Sequence, residues 1–457
     1  MTDTQITAAL LMKYDRPGPR YTSYPTVPEW RDEFDAAARE DALSAAAQHA
    51  SVPLSAYAHI PFCKSRCAYC GCNVFLNAAG LVERYLSCLQ QEIAQAAALL
   101  GVRRTVTQCH WGGGTPTFLD ESQMERLFHA LTAAFSFSPD AEIAIETNPA
   151  SVSEKQLRCL RRLGFNRISF GVQDLDPAVQ QAVCRNQTDT QTRAVIDLCR
   201  ALGFRGINVD LIYGLPLQQE RGWSATIDQV ISMRPDRIAI YSYAHLPQRF
   251  PHQAPLDGLP RPDAPQKYAL FALARQRLLD AGYHAIGMDH FALPGDELAL
   301  ALTRGALNRN FMGYTVQHAP DQVGFGASAI SEVADCYIQN VKDAGAYCDA
   351  VEQGIAPVER GMRLTRDDVI RRWVIRRLMC AFTVDMKHFQ QKFGAVFNTY
   401  FAQEMDALKY YEQEGMVTVD ADRLNVTSLG AVFIRNICMV FDAYLKEQNK
   451  GMFSRTI

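Results

Sequence analysis

Three cysteines, Cys63, Cys67 and Cys70, recur at spacings of four and three residues, with Gly71 and Cys72 directly behind them. Thiolates at that spacing can sit on three corners of a cubane iron–sulfur cluster. Four protein ligands would saturate such a cluster, whereas three leave one iron open to a substrate or cofactor. An open iron is a site for chemistry and not only for electron transfer. A structural zinc on Cys63, Cys67, Cys70 and Cys72 is the competing reading. Zinc sites of that kind usually pair two two-ligand knuckles well separated in sequence, and no second knuckle follows here.

Further polar residues gather in a few short motifs. His110-Trp111-Gly112-Gly113-Gly114-Thr115-Pro116-Thr117 carries three glycines that let backbone amides approach a small polar ligand, and Thr115 adds a hydroxyl. Glu146 ends a β-rich run, a position where a carboxylate can accept hydrogen bonds from two hydroxyls such as those of a ribose. Gln173, Asp174 and Arg185 follow in the next segments. Asp210 interrupts the apolar run Ile207–Tyr213, and a charge there is costly without a partner. It either faces a polar cavity or forms a structural ion pair.

These residues need elements to position them. β-rich runs occur at Leu54–Ile60, Val106–Trp111, Glu142–Thr147, Arg167–Val172, Ile207–Tyr213 and Arg237–Tyr243. Helical periodicity fills the intervals, most clearly where Val82, Leu86, Leu89, Ile93, Ala96 and Leu100 share a face. Other helices are expected near 121–135, 154–164, 189–203 and 221–233. Six strands, each followed by a helix, imply parallel βα units closing wholly or partly into a barrel, with chemistry at the C-terminal strand ends. The motifs above lie at those ends. The Pro-rich stretch His245–Pro265 reads as an ordered loop. From about Gly361 the pattern becomes helical, near 365–381 and 387–413. Two short strands, Met416–Asp420 and Arg423–Thr427, and a helix from Ser428 follow, a winged-helix-like order. The expected organisation is an N-terminal arm over 1–50, a barrel with its extension over 51–360, and a helical C-terminal domain over 361–457.

Composition narrows the class. A chain of 457 residues with 48% hydrophobic and 21% charged residues can bury an ordinary core in two or more units. A net charge of −3 argues against a nucleic-acid-binding surface. Residues 361–457 carry 14 Lys and Arg against 11 Asp and Glu, so the winged-helix-like part is hardly basic. The cluster Arg371, Arg372, Arg376 and Arg377 has Asp367 and Asp368 one turn before its first members, as on a solvated ion-paired helix. No apolar run of 18 residues suggests a membrane span, and Met1–Tyr14 does not read as a secretory signal. Thirteen cysteines without an export signal point to a reducing cytoplasm. Of those outside 63–72, Cys88, Cys159, Cys199 and Cys438 fall in apolar helical patterns and read as buried hydrophobes.

The Cys-x3-Cys-x2-Cys loop with Tyr69 before the third cysteine, and the Gly-Gly-Gly-Thr-Pro turn, resemble the radical S-adenosylmethionine (SAM) enzymes. More narrowly, the chain resembles the oxygen-independent coproporphyrinogen III oxidases, or coproporphyrinogen dehydrogenases, almost end to end. The motifs that carry this include Tyr21-Thr22-Ser23-Tyr24-Pro25-Thr26, the Gly71-Cys72 extension, Asn208-Val209-Asp210-Leu211-Ile212-Tyr213-Gly214, Gly287-Met288-Asp289-His290-Phe291-Ala292 and Arg435-Asn436-Ile437-Cys438-Met439.

The resemblance implies an α/β fold: a partial (β/α)6 barrel with an N-terminal arm and a mainly helical, winged-helix-like C-terminal domain. It implies a [4Fe–4S] cluster on Cys63, Cys67 and Cys70, whose open iron binds SAM. A 5′-deoxyadenosyl radical would take hydrogen from the β-carbon of a propionate, and loss of carbon dioxide and an electron would leave a vinyl group. Two such steps turn coproporphyrinogen III into protoporphyrinogen IX in haem biosynthesis. A second SAM is implied beside the first. Tyr57, Gly113, Glu146 and Ile330 would line the cluster-bound molecule; Tyr69, Gly114, Thr115, Gln173, Arg185, Asp210 and Ala244 would line the second. Cys72 would act in catalysis, near the second cofactor or in radical or proton handling, rather than as a ligand. A one-electron reductant is needed, and a cytoplasmic monomer without nucleic-acid or membrane partners is expected. Met312 stands where the family commonly has Gln before Gly-Tyr-Thr, and Thr147-Asn148-Pro149 replaces the usual Val-Asp-Pro. The alternatives within the superfamily are a haem chaperone, which typically has an aromatic residue at the position of Cys72, or a haem-degrading methyltransferase. Arg20, Arg304, Arg309 and Arg435 are candidates for the substrate's propionates. Tyr21 and Tyr24 would pack on pyrrole rings or anchor the arm to the barrel.

Overall fold

The computed structural model describes residues 6–76, 78, 80–316, 319–445 and 453–456. Strands β1 (Leu54–Ile60), β2 (Thr105–Gly113), β3 (Ser136–Thr147), β4 (Arg167–Gln173), β5 (Gly206–Tyr213) and β6 (Arg237–Ser242) pair in chain order, all parallel. β1 is buried along nearly its whole length, as a strand covered on both faces must be. The covering helices begin where the sequence supplies caps. Asp120 with Gln123, Ser153 with Gln156, and Thr188 with Gln191 each form a reciprocal capping box. Helix Val82–Leu100 buries Leu86, Leu89, Ile93, Ala96 and Leu100 against the sheet.

β1 does not pair with β6, so the barrel stays open. Both edges are instead extended by segments that periodicity did not disclose. β7 (His284–Ile286) and β8 (His290–Ala292) add antiparallel to β6. Beyond the ribbon of β9 (Asn308–Asn310) and β10 (Gly313–Thr315), β11 (Asp321–Phe325) pairs parallel to β1. β12 (Ile330–Val333), β13 (Cys336–Asn340) and β14 (Val358–Arg363) continue antiparallel. The result, among the described residues, is a twelve-stranded sheet with a partial (β/α)6 barrel at its centre. Strands of three to five residues carry too few positions for a period to show.

The C-terminal region has its own core. Ile370, Val374 and Leu378 of helix Arg366–Ala381 pack with Phe389, Phe401 and Leu408. The segment expected as one helix over 387–413 is broken into Met386–Phe393, Phe397–Tyr400 and Ala402–Gln413, because Gly394 takes a left-handed conformation (φ 69°) and caps the first piece. β15 (Thr383–Asp385) joins β17 (Arg423–Val426) and β16 (Val417–Val419) as an additional wing strand.

Arg372 and Arg376 are not solvated. They pair with Glu332 on β12 at 3.0 and 2.6 Å, and Arg372 also reaches Asp335, so the basic helix face docks against the barrel sheet. Asp368 is the capping-box residue of that helix. The N-terminal 50 residues divide between two cores: Leu11, Tyr14, Tyr21 and Tyr24 enter the C-terminal one, while Leu43 and Ala46 enter that of the barrel. Between them, residues 17–31 form a strap that runs from Arg20, bound to Asp289 beside β8, to Arg31, paired with Gly361 of β14. Cys88, Cys159, Cys199 and Cys438 are buried. Among the described residues no helix is long and apolar enough to cross a membrane.

Candidate active site

The cysteine loop is closed at its base. Leaving β1, Phe62 bridges to Phe75, Phe75 N donates to Pro61 O (2.7 Å), and Cys63 N donates to Phe75 O (3.3 Å). The Arg66 guanidinium ties the interior through Val74 O (2.5 Å). Cys63, Cys67 and Cys70 are half-buried free thiols. Burial pushes the Cys63 thiol up to about 11, although its Sγ lies 3.2 Å from Thr115 Oγ1. Cys72 N–H donates to the Cys70 sulfur at 3.4 Å, and the neighbouring Cys72 thiol together with this bond pulls Cys70 down to about 6. The same contact with Cys70 holds the thiol of the exposed Cys72 well above a free thiol. Among the described residues no three His, Cys, Asp or Glu side chains converge as they would on a single ion. A cubane takes one thiolate per iron and needs its sulfurs spread around it, so three free thiols on one closed loop fit a cluster.

The glycine turn works differently from the sequence expectation. Gly114 N donates to Ile60 O (2.8 Å) and Thr115 N to Phe62 O (2.9 Å), so these amides are bonded to the β1 exit and are not free for a ligand. Absence of side chains is what matters there. A Cβ on Gly114 would lie 2.8 Å from Phe62 O; on Gly113, which has φ 118°, it would lie 2.9 Å from the His59 ring; on Gly112, 2.9 Å from both Glu146 Oε1 and Tyr57 Oη. Gly112 thereby lets the Tyr57 and Glu146 side chains approach one another. Tyr57 Oη lies 3.1 Å from His59 Nδ1, and its ring stacks on His110. His110 Nε2 lies 3.0 Å from Glu146 Oε1. Ile330 comes to this side of the barrel through β11: Tyr57 pairs with Gly324, and a Cβ there would strike Ile330.

Across the mouth, Arg185 is the organising group. It donates to Tyr69 Oη (2.9 Å), to Cys67 Sγ (3.4 Å), to Gln187 Oε1 (3.2 Å) and to Gly171 O. Its Nε and the Oε1 of Gln173 are buried without a partner. Gln173 also holds φ 69°, a conformation that costs energy in any residue but glycine. A strained residue and two orphaned polar atoms at strand ends suit a polar group bound between them. Ala244 joins Tyr69 through Gln253, whose amide donates to Tyr69 O (3.0 Å) and Ala244 O (3.4 Å). Beside it His252 Nε2 lies 2.6 Å from Cys70 O. Gln253 and His252 escaped the sequence reading because they lie in the Pro-rich loop, where no period or motif marks a side chain.

Asp210 points into the barrel, and its hydrogen-bond partners are neutral: Ser169 Oγ donates at 2.9 Å and Asn208 Nδ2 at 2.8 Å. Burial raises its carboxyl above the usual range. It lines an internal cavity of about 120 Å³ with His110, Glu146, Tyr241, His290 and Met312. At the cavity's lower end Glu142 pairs with Arg167 (2.7 Å), and Arg237 with Asp296 (2.8 Å). His110 and His290 lie in sequence motifs and Tyr241 in the β-rich run Arg237–Tyr243, yet only folding brings them to one cavity.

The candidate propionate cations separate. Arg435 Nε donates to Pro19 O (2.9 Å) and Nη1 to Arg455 O (2.8 Å), so it ties the arm to the chain end. Arg309 is buried over Tyr314, and Arg304 is an exposed helix C-cap. Of the four, Arg20 lines a cleft. Tyr21 and Tyr24 anchor the strap to the C-terminal region, through Asp442 (2.9 Å) and Ala443 N (3.0 Å).

A parallel barrel with three free cysteines after its first strand defines a radical SAM enzyme, and residues 57–230 match the model of the Radical SAM superfamily. Residues 364–433 match the HemN C-terminal domain. The oxygen-independent coproporphyrinogen III oxidase of Salmonella typhimurium is 44% identical over 451 residues, 98% of each chain. That of Synechocystis is 43% identical over 459 residues, 99% of this chain and 98% of its own. The structure of coproporphyrinogen III oxidase (HemN) from Escherichia coli, a radical SAM enzyme, superposes with a TM-score of 0.91 at 42% identity, covering 96% of this chain and 99% of that one. The chain belongs to the family of oxygen-independent coproporphyrinogen III oxidases, whose superfamily cofactors are a [4Fe–4S] cluster and SAM.

Proposed function

We propose that this enzyme oxidatively decarboxylates two propionates of coproporphyrinogen III to vinyl groups, giving protoporphyrinogen IX in oxygen-independent haem biosynthesis. What carries the proposal is a full-length match to oxidases of that name in a chain whose cysteine loop sits at the barrel mouth. When bound, the cluster and SAM supply the one-electron chemistry that removes hydrogen from an unactivated carbon. For each propionate, one hydrogen atom leaves the β-carbon, the carboxyl departs as carbon dioxide, and one electron passes to an external acceptor.

In this proposal Cys63, Cys67 and Cys70 hold the cluster. Tyr57, Gly113, Glu146 and Ile330 line a SAM on the open iron. Tyr69, Gly114, Thr115, Gln173, Arg185, Asp210 and Ala244 line a second SAM, supported by the orphaned atoms of Gln173 and Arg185. Arg185, charged and buried beside Cys67, counters the negative charge of the thiolates. Gln253 and His252 hold the loop that shelters the cysteines, which limits water near a radical. Cys72, hydrogen-bonded to Cys70, stays free of iron and has its role in radical or proton handling. The enzyme works as a cytoplasmic monomer with a one-electron reductant, in keeping with cysteines that are all free thiols.

The test is anaerobic reconstitution with iron and sulfide, then incubation with coproporphyrinogen III, SAM and a reductant. Protoporphyrinogen IX with two carbon dioxides per substrate is expected. Haem binding or methyl transfer with no vinyl product would overturn the proposal.

A further inference from the structure

An inference about the substrate's carboxylates rests on that reading and on a cleft beside the strap. A cleft of about 560 Å³ opens between the strap, the segment 246–249 and β14, within the size range of sites that enclose a small organic ligand. Three guanidiniums line it, those of Arg20, Arg249 and Arg360, and no Asp or Glu among the described residues does. Arg20 is neutralised by Asp289 at 2.7 Å. Arg249 and Arg360 have no carboxylate partner among the described residues; Arg360 Nε donates only to the neutral Gln339 (2.8 Å), and Arg249 lies over the Phe250 ring at 5.6 Å. Pro19, Val27, Pro28, Leu246 and Phe453 make the remaining wall largely apolar. Two uncompensated guanidiniums on an apolar wall suit an apolar ring system that carries carboxylates on arms.

The cleft adjoins the reaction site on two sides. Phe250, next to Arg249, packs against Gly71, where a Cβ would meet it at 3.6 Å, and His252 lies 2.6 Å from Cys70 O. At the other side the Arg20 guanidinium lies 5.5 Å over the ring of Tyr241, which lines the internal cavity with Asp210. A macrocycle seated in the cleft therefore lies between an Arg249 edge, which borders the cysteine loop through Phe250, and an Arg20 edge, which borders the barrel cavity through Tyr241. We propose that Arg249 and Arg360 bind the propionate carboxylates that are not reacting, and so fix which propionate points into the barrel. They are positioning residues: the substrate carboxylate they hold is not the one lost.

The test uses the reconstituted enzyme and two probes: coproporphyrin III, the aromatic and unreactive tetracarboxylate, and its tetramethyl ester. Wild type should quench and bind the acid and not the ester. Arg249→Gln and Arg360→Gln should each weaken acid binding about tenfold, the value of losing one charge-assisted pair. The KM for coproporphyrinogen III should rise by a similar factor with kcat little changed, and Arg249→Lys and Arg360→Lys should recover part of the loss. Iron and sulfide contents equal to wild type show that the variants fold. Wild-type acid affinity in both Gln variants, or equal binding of acid and ester, overturns the assignment. A wild type that binds neither probe and forms no vinyl product overturns the porphyrinogen reading, and this inference with it.

Discussion

Four sulfurs within ten residues divide by their surroundings. Cys63 faces the Thr115 hydroxyl, Cys67 faces the Arg185 guanidinium, and Cys70 receives hydrogen bonds from Cys72. Cys72 is thus a donor to the Cys70 sulfur. Cys63→Ala and Cys67→Ala should lose the iron–sulfur absorbance and abolish turnover, since each removes one of three corners. Cys72→Ser should keep the full iron and acid-labile sulfide content while turnover falls. Loss of iron from Cys72→Ser would show that Cys72 is a ligand and would restore the four-sulfur reading.

Helix Val82–Leu100 owes its position to its apolar face, but one buried charge ties it to its neighbours. Glu92 is fully buried and accepts from Tyr347 (2.7 Å), Asn340 (2.7 Å), Gly326 N (2.8 Å) and Arg39 (3.4 Å). It thereby joins the helix to Ala36–Ala47, to Ala344–Glu352 and to the strands that extend the sheet past β1. Removing one member of a buried pair leaves the other uncompensated, so Glu92→Ala should cost about 3–5 kcal/mol, read from urea unfolding. Glu92→Gln, which keeps an acceptor oxygen, should cost less. A loss below about 1 kcal/mol in the alanine variant would mean that water satisfies Arg39 and Tyr347 in place of the carboxylate.

At the scale of the whole molecule, strap, barrel and C-terminal region meet around Lys267 of helix Ala264–Asp280. Its Nζ lies 3.4 Å from Tyr243 O and feels the charges of Asp15, Arg435, Arg20 and Arg455. Burial lowers its ammonium to about 8 from 10.5. Between those values the unfolded chain holds a proton that the folded one has released, so stability rises with pH across that window. The stability of wild type relative to Lys267→Met should therefore climb from pH 8 to 10.5, read as melting temperature. A constant difference across the window would show that Lys267 is charged in the folded protein throughout.

The six barrel strands, their order and the cysteine loop were legible in the sequence, because long amphipathic helices and buried parallel strands leave strong periods and the loop's chemistry is local in the chain. The edge strands β7, β8, β11 and β12 were not, being too short to carry a period. Nor was the use of the glycine turn, whose amides bond to the β1 exit: a glycine records that space is needed and not what fills it. Tertiary structure alone decided the arginines. Arg435 lies in a family motif and Arg249 in none, yet folding spends Arg435 on the carbonyls of the strap and leaves Arg249 uncompensated in a cleft. The sign of a charge is a property of the residue; whether that charge is already paired depends on which distant segments the fold brings beside it.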